Sequence, residues 1–153
     1  MSIASKLADM GVILPEAPAP AANYVPYVLT GDILYVSGQV SQANGAFLTG
    51  KLGADLSTEQ GAEAARSCAL SLLAQAKAAL GGDLSRLKRV VKLTGFVNCT
   101  ADFTDQPKVI NGASDLMVDV LGDAGRHTRA AVGVAALPAG CAVEIDAILQ
   151  IKD

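Results

Sequence analysis

Residues 142–151, near the C-terminus, alternate between apolar and polar side chains. The odd positions are apolar from Val143 to Ile151, whereas Glu144 and Asp146 lie between them. A period of two is typical of a β-strand that buries one face. The pattern therefore predicts a half-buried strand with carboxylates on the face away from the core.

Residues 129–136 form a second strand-like run, with two valines on one face and Arg129 beside alanine and glycine on the other. The Leu-Pro-Ala-Gly segment that follows is typical of a turn, so we expect a hairpin with 142–151. If both valine-rich faces pack on one core, register places Arg129 and Glu144 together on the opposite face. Since small residues cannot cover that face, we expect another backbone or sheet to approach it closely, and a subunit interface is the simplest candidate.

The expected hairpin also sets a distance between the two charged residues. With a turn at 138–140, Glu144 lies opposite about residue 135, and Arg129 is then about 20 Å away along the sheet. The two side chains cannot meet within one hairpin. If both serve one site, Arg129 comes from one subunit and Glu144 from its neighbour.

Three sequence blocks resemble one known family. The run T-R-A-A-V-G-V-A-A-L-P at 128–138, followed by V-E-I-D at 143–146, is similar to the C-terminal signature of the RidA (YjgF-like) family. V-S-G-Q at 36–39 resembles its SGQ strand end, and V-P-Y at 25–27 resembles its GPY segment. Order and spacing agree across residues 24–151.

The resemblance implies a fold and an activity. The fold would be α+β and chorismate-mutase-like, a mixed sheet covered by two helices, in a homotrimer whose sheets form a central barrel. Family members hydrolyse reactive 2-imino and enamine acids to 2-oxo acids and ammonia in clefts between subunits. This chemistry implies a small carboxylate as substrate and needs no metal or organic cofactor.

The resemblance also implies functional residues. Arg129 matches the carboxylate-binding arginine and Glu144 the cleft glutamate, which together form the implied catalytic pair. The implied substrate-binding residues are Tyr27, Ser37, Gly38, Asn111 and Arg129.

Some positions depart from the family pattern. Val25 replaces the glycine before Pro-Tyr, and Ala131 stands where many members carry a cysteine. Residues 1–23 are expected to add an N-terminal helix and a proline-rich linker to a single domain spanning 1–153. These traits suggest a divergent branch of the family.

Each candidate side chain also has a structural interpretation. Arg129 could be an ion-pair partner, but its planar fork suits bidentate carboxylate binding, and we favour that role. Glu144 could activate water as a general base or be a satisfied interface carboxylate, and both stay open. Ser37 and Tyr27 are expected to be hydrogen-bonding groups of the cleft wall. His127 is the only histidine, so a serine–histidine triad would have to use it, and we expect it at the rim.

Composition bears on the rival functions. One rival is an endoribonuclease or translation inhibitor, and the other is a noncatalytic trimer that binds small carboxylates. A net charge of -3, a pI near 5.0 and 4% aromatic residues weigh against binding nucleic acid. Three cysteines without C-x-x-C spacing favour a reduced cytoplasmic protein without disulfides, and no stretch is long enough to span a membrane.

Periodicity and end signals predict the remaining elements. The capping-box sequence Ser-Thr-Glu-Gln at 57–60 predicts the start of a long helix that ends at Gly81-Gly82. The other predicted elements are a helix at 2–10, a strand at 33–40, a turn at Asn44-Gly45 with a short strand near Phe47, a strand at 87–98 and a helix at 107–120.

Overall fold

The computed structural model describes residues 1–20 and 22–153, and Ala21 of the predicted linker lies outside them. The described chain forms a five-stranded mixed sheet with two long helices packed on one face. A two-stranded hairpin lies beside this sheet. The elements are α1 Ile3–Asp9, β1 Tyr27–Thr30, β2 Ile33–Val40, β3 Gln42–Ala43, β4 Ala46–Phe47, α2 Thr58–Ala79, β5 Leu87–Asn98, α3 Gln106–Leu121, β6 Thr128–Val134 and β7 Val143–Ile151.

The predicted element ends are confirmed by local hydrogen bonds and dihedral angles. The Ser57 hydroxyl accepts from the Gln60 backbone N–H, and the Gln60 side chain accepts from the Ser57 N–H, which completes the capping box of α2. Helix α3 ends at Gly122, whose φ of 63° is accessible to glycine without a Cβ clash. Strands β2 and β5 match their predicted ranges.

The predicted hairpin between β6 and β7 is wrong. The strand order is β1-β2-β7-β5-β6, so β5 lies between the two strands, parallel to β6 and antiparallel to β7. The reason is that β5, α3 and β6 form a βαβ unit, which places its two strands in parallel. The Leu-Pro-Ala-Gly segment does form a tight turn, but that turn begins a connection past the end of β5.

The predicted faces of β6 are therefore wrong as well. Arg129 pairs with Leu93, a residue buried beneath the helices, so Arg129 lies on the helix-covered face. Val132 pairs with Phe96 and is 43% exposed on the opposite, open face. Glu144 also pairs with Phe96, so it shares the open face with Val132. Arg129 and Glu144 thus lie on opposite faces of the sheet.

The small residues of β6 have close neighbours within the same chain. A Cβ on Gly133 would lie 2.7 Å from the Cys99 sulfur and 2.8 Å from Gln106 Nε2, so its neighbours belong to the same chain. Ala131 packs against the core beneath the helices. This side of β6 thus faces α3 at Ala131 and Gly133, whereas Gly133 and Ala135 keep exposed surface, and a subunit interface at this face stays a prediction.

The core lies between the sheet and the helix pair. The odd positions of β7 are buried, as their alternation predicts. Helices α2 and α3 approach closely where Gly112 faces Ala62, and a Cβ on Gly112 would overlap the Ala62 carbonyl oxygen. No helix of the described residues is long and apolar enough to cross a membrane.

Candidate functional site

Arg129 is held at the edge of the sheet by two side chains of α3. Its Nη1 donates to Asn111 Oδ1 over 2.8 Å and to Ser114 Oγ over 3.2 Å. Asn111 and Ser114 are three residues apart, so they present their side chains on the same face of the helix. Strand β6 pairs with β5, and α3 packs against both strands. This packing brings Asn111 and Arg129, two of the predicted site residues, into contact.

The two contacts leave part of the guanidinium available. Both use Nη1, and within residues 1–20 and 22–153 neither Nε nor Nη2 has a hydrogen-bond partner or a carboxylate at ion-pair distance. Nε–H and one Nη2–H point in the same direction and form one edge of the planar fork. This edge can donate two parallel hydrogen bonds to a carboxylate.

A second group of predicted residues lies around an irregularity in β2. The register between β2 and β7 shifts between Val36 and Gln39, which marks a β-bulge at Ser37 and Gly38. The Ser37 hydroxyl donates to the Val25 carbonyl over 2.8 Å, so it fixes the segment that leads into β1. Tyr27 begins β1, opposite Val36, and is half-buried against the core.

Glu144 lies directly against this bulge. A Cβ on Gly38 would overlap Glu144 Oε2 and lie 3.0 Å from Glu144 Cδ, so only glycine leaves room for the carboxylate in this position. Burial of the carboxyl group raises the pKa of Glu144, and the nearby Asp146 raises it further. Among the described residues, Glu144 has no hydrogen-bond or ion-pair partner for its side chain.

One chain does not bring the two groups together. Arg129 and Asn111 lie at the β6 edge, whereas Ser37 and Gly38 lie on β2, three strand positions away. Strand spacing alone separates the groups by about 14 Å. They also differ in face, since Glu144 lies on the open side of the sheet.

Sequence reasoning missed the part that Ser114 and His127 play beside Arg129. Ser114 Oγ lies 2.9 Å from His127 Nε2, and His127 Nδ1 lies 2.6 Å from the Gly125 carbonyl oxygen. His127 lies in the loop before β6, as expected, but it is half-buried and is connected to Arg129 through Ser114, which the sequence did not indicate. The available signal was the spacing of Asn111 and Ser114 on a predicted helix.

The remaining candidate features lie away from Arg129. A cavity of about 940 Å³ is bounded by residues 13–19, the β3–β4 turn and the first half of α2. The three cysteines are buried, and none is paired in a disulfide. Burial raises the pKa of the Cys68 thiol, which keeps it in the unreactive neutral form.

Comparison with known proteins identifies the family. Residues 4–149 match the family described as "YjgF/chorismate_mutase-like, putative endoribonuclease". The chain belongs to this YjgF/RidA-like family, as its C-terminal signature predicted. The fold is the family's chorismate-mutase-like α+β fold.

Individual relatives cover nearly the whole chain. Protein TCP17 of Trypanosoma cruzi is 52% identical over 153 residues, which cover 99% of this chain and 95% of that protein. The structure of Atu1372 from Agrobacterium tumefaciens is 50% identical in sequence and has a TM-score of 0.92. The match covers 98% of this chain and 92% of the Atu1372 chain. The structure of a "putative endoribonuclease" from Shewanella oneidensis MR-1 is 34% identical in sequence and has a TM-score of 0.94. The match covers 99% of this chain and 100% of the Shewanella chain.

The family match begins at residue 4, ahead of most of the segment expected to be an N-terminal extension. Helix α1 packs against α3, and its Leu7 is buried in the common core. An extension spanning 1–23 remains a prediction.

Proposed function

We propose that the protein hydrolyses small 2-imino and enamine acids to 2-oxo acids and ammonia in a cleft between subunits. The observation that carries the proposal is the orientation of Arg129. Asn111 and Ser114 hold its Nη1, and the edge formed by Nε and Nη2 is free among the described residues. A guanidinium fixed in this way binds the carboxylate of a 2-imino acid with two hydrogen bonds.

The cleft requires a second subunit, because Arg129 and Asn111 lie at the β6 edge, whereas Ser37, Gly38 and Glu144 lie on β2 and β7, and Glu144 is on the opposite face of the sheet. A head-to-tail contact that joins the β6 edge of one copy to the β1–β2 edge of the next completes the site, and such contacts form a closed ring when the rotation between neighbouring copies divides a full turn. The family resemblance favours a ring of three. The open face supports assembly, since it exposes Val28, Tyr35 and Val132 by 51%, 48% and 43%.

The reaction follows from the residues that would meet in this cleft. Arg129 binds the substrate carboxylate, and backbone groups at Ser37 and Gly38 orient the imine. A water molecule attacks the imine carbon while its proton passes to the Glu144 carboxylate. The resulting carbinolamine takes a proton on nitrogen, its C–N bond breaks, and ammonia leaves a 2-oxo acid. The overall reaction consumes one water molecule and involves no net oxidation or reduction.

The environment of Glu144 supports its role as the base. Burial and Asp146 raise the pKa of its carboxyl group toward the range in which a carboxylate accepts a proton effectively near neutral pH. Its carboxylate also has no partner among the described side chains, so it is available to a water molecule. The alternative that Glu144 is a satisfied interface carboxylate requires a partner from the neighbouring subunit.

Cleavage of RNA is the second candidate, because the Shewanella relative carries an endoribonuclease name. The net charge of -3 opposes binding of a polyanion, and the chain has only 4% aromatic residues for base stacking. A noncatalytic trimer that binds small carboxylates would use Arg129 in the same way but would not accelerate hydrolysis.

The test measures ammonia release from 2-imino acids that an amino-acid oxidase generates in the assay. The wild-type protein should accelerate release, and Arg129→Lys should lose most of the acceleration because an ammonium cannot make the bidentate contact. Arg126→Lys is the matched control, since Arg126 is a nearby exposed arginine whose side chain contacts Asp123 at 3.5 Å.

The outcomes separate the three functions. Loss in Arg129→Lys with retention in Arg126→Lys supports the deaminase. A wild-type protein that binds 2-oxo acids without accelerating hydrolysis is a binding module. Cleavage of RNA without imine hydrolysis would support the ribonuclease and overturn the proposal.

A further inference from the structure

Ser114 and His127 form a continuous hydrogen-bonded chain with Arg129, outside the set of residues that the family resemblance implies. The chain runs from Arg129 Nη1 to Ser114 Oγ over 3.2 Å, from Ser114 Oγ to His127 Nε2 over 2.9 Å, and from His127 Nδ1 to the Gly125 carbonyl oxygen over 2.6 Å. Its members come from α3, from β6 and from the loop between them.

The direction of each hydrogen bond follows from elementary chemistry. A carbonyl oxygen can only accept, so His127 Nδ1 carries a proton. In the neutral ring Nε2 is then the acceptor, and the Ser114 hydroxyl must donate to it. The lone pairs of Ser114 Oγ accept from Arg129 Nη1. Each of these three hydrogen bonds thus has one donor and one acceptor, and bonds aligned in this way polarise and strengthen one another.

We propose that His127 and Ser114 are positioning residues that orient Arg129 for the substrate carboxylate. His127 fixes the direction of the Ser114 O–H bond, which turns a lone pair toward Nη1. Together with Asn111, Ser114 occupies both N–H groups of Nη1 and keeps the guanidinium from rotating. This leaves the edge formed by Nε and Nη2 directed at the ligand. The inference deepens the proposed function and rests on it for the identity of the ligand.

Ser114 is not assigned as a nucleophile, although a serine beside a histidine invites that interpretation. Its oxygen accepts a hydrogen bond from a guanidinium, which lowers the electron density that attack on a substrate would need. Ser114 therefore acts through Arg129, and its loss should weaken substrate binding more than the chemical step.

The first experiment tests the histidine tautomer and needs no activity. His127 is the only histidine of the chain, so its two ring nitrogens give unambiguous signals in ¹⁵N-detected NMR spectra of the labelled protein. The spectra of wild type should show the proton on Nδ1, and Ser114→Ala should shift the Nε2 signal. A ring protonated mainly on Nε2 would overturn the hydrogen-bonded chain.

The second experiment measures binding of 2-oxobutanoate by calorimetry, together with KM and kcat for imine hydrolysis. Ser114→Ala should weaken binding and raise KM by about tenfold, the effect of one charge-assisted hydrogen bond, with a smaller change in kcat. Ser114→Thr restores the hydroxyl and should restore affinity. His127→Ala should resemble Ser114→Ala, and the double variant should be no worse than either single one, because both act through one chain.

These outcomes distinguish this inference from the proposed function. If Ser114→Ala weakens 2-oxo acid binding but wild type hydrolyses no imine, the positioning role stands and the deaminase fails. If hydrolysis depends on Arg129 while Ser114→Ala and His127→Ala bind and react as wild type does, the positioning role fails and the deaminase stands. Equal losses in Ser114→Ala and Ser114→Thr would also overturn the positioning role.

Discussion

Substitution of Gly38 by alanine should displace the Glu144 carboxylate without unfolding the protein. The added Cβ would overlap Oε2 and lie 3.0 Å from Cδ and 3.2 Å from Cγ of Glu144, whereas carbon atoms in contact normally lie about 3.5–4.0 Å apart. The φ of Gly38 is not positive, so alanine can adopt its backbone conformation. The carboxylate therefore has to move by about 0.5–1 Å, and a flexible, half-buried side chain can do so at little cost in stability.

The expected effect is on catalysis. Misplacement of a catalytic group by about 1 Å reduces rates by up to ~100-fold, equivalent to ~2.7 kcal/mol of activation free energy. Gly38→Ala should therefore lower kcat for imine hydrolysis by about 10-fold to 100-fold, while the Tm falls by only a few degrees. Ammonia release and thermal unfolding measure the two quantities.

A double-variant cycle identifies the cause. If alanine acts through the Glu144 carboxylate, Gly38→Ala should have little further effect in a Glu144→Gln background. An undiminished effect in that background would mean that the Gly38 backbone contacts the substrate directly. Full activity of Gly38→Ala would refute the placement of Glu144 as the catalytic base.

Three further predictions concern pH, stability and assembly. Since burial and Asp146 raise the pKa of Glu144, kcat/KM should rise with pH through a pKa above the ordinary glutamate value of ~4.3, and Glu144→Gln should abolish this acid limb of the pH profile. Gly112→Ala should lower the Tm, because overlap with the Ala62 backbone costs ~1–3 kcal/mol and exceeds a gain of ~1 kcal/mol in helix propensity; an unchanged Tm would show that the helices separate freely. If the protein forms the proposed trimer, Val132→Asp should convert it to monomers in light scattering, and a monomeric wild type would contradict assembly through the open face.

The sequence alone determined the local elements. A capping box defines the start of α2, a glycine with positive φ ends α3, and the alternation of β7 predicts which of its residues are buried. These signals are reliable because each depends on residues a few positions apart along the chain. The C-terminal signature also identified the family, and the resemblance implied roles for both Arg129 and Asn111, which the structure brings into contact.

Only the tertiary structure decided which strands are neighbours and which way Arg129 faces. The turn after β6 looks the same in sequence whether the chain folds back beside β6 or crosses to the far side of β5. Alternation likewise identifies two faces of β6 but does not say which one α3 covers. The parallel pairing of β5 and β6 settles both, because it turns Arg129 toward α3 and leaves Val132 exposed. The contacts of Arg129 with Ser114 and, through it, His127 follow from that packing, since they join residues whose proximity depends on the path of the whole βαβ unit.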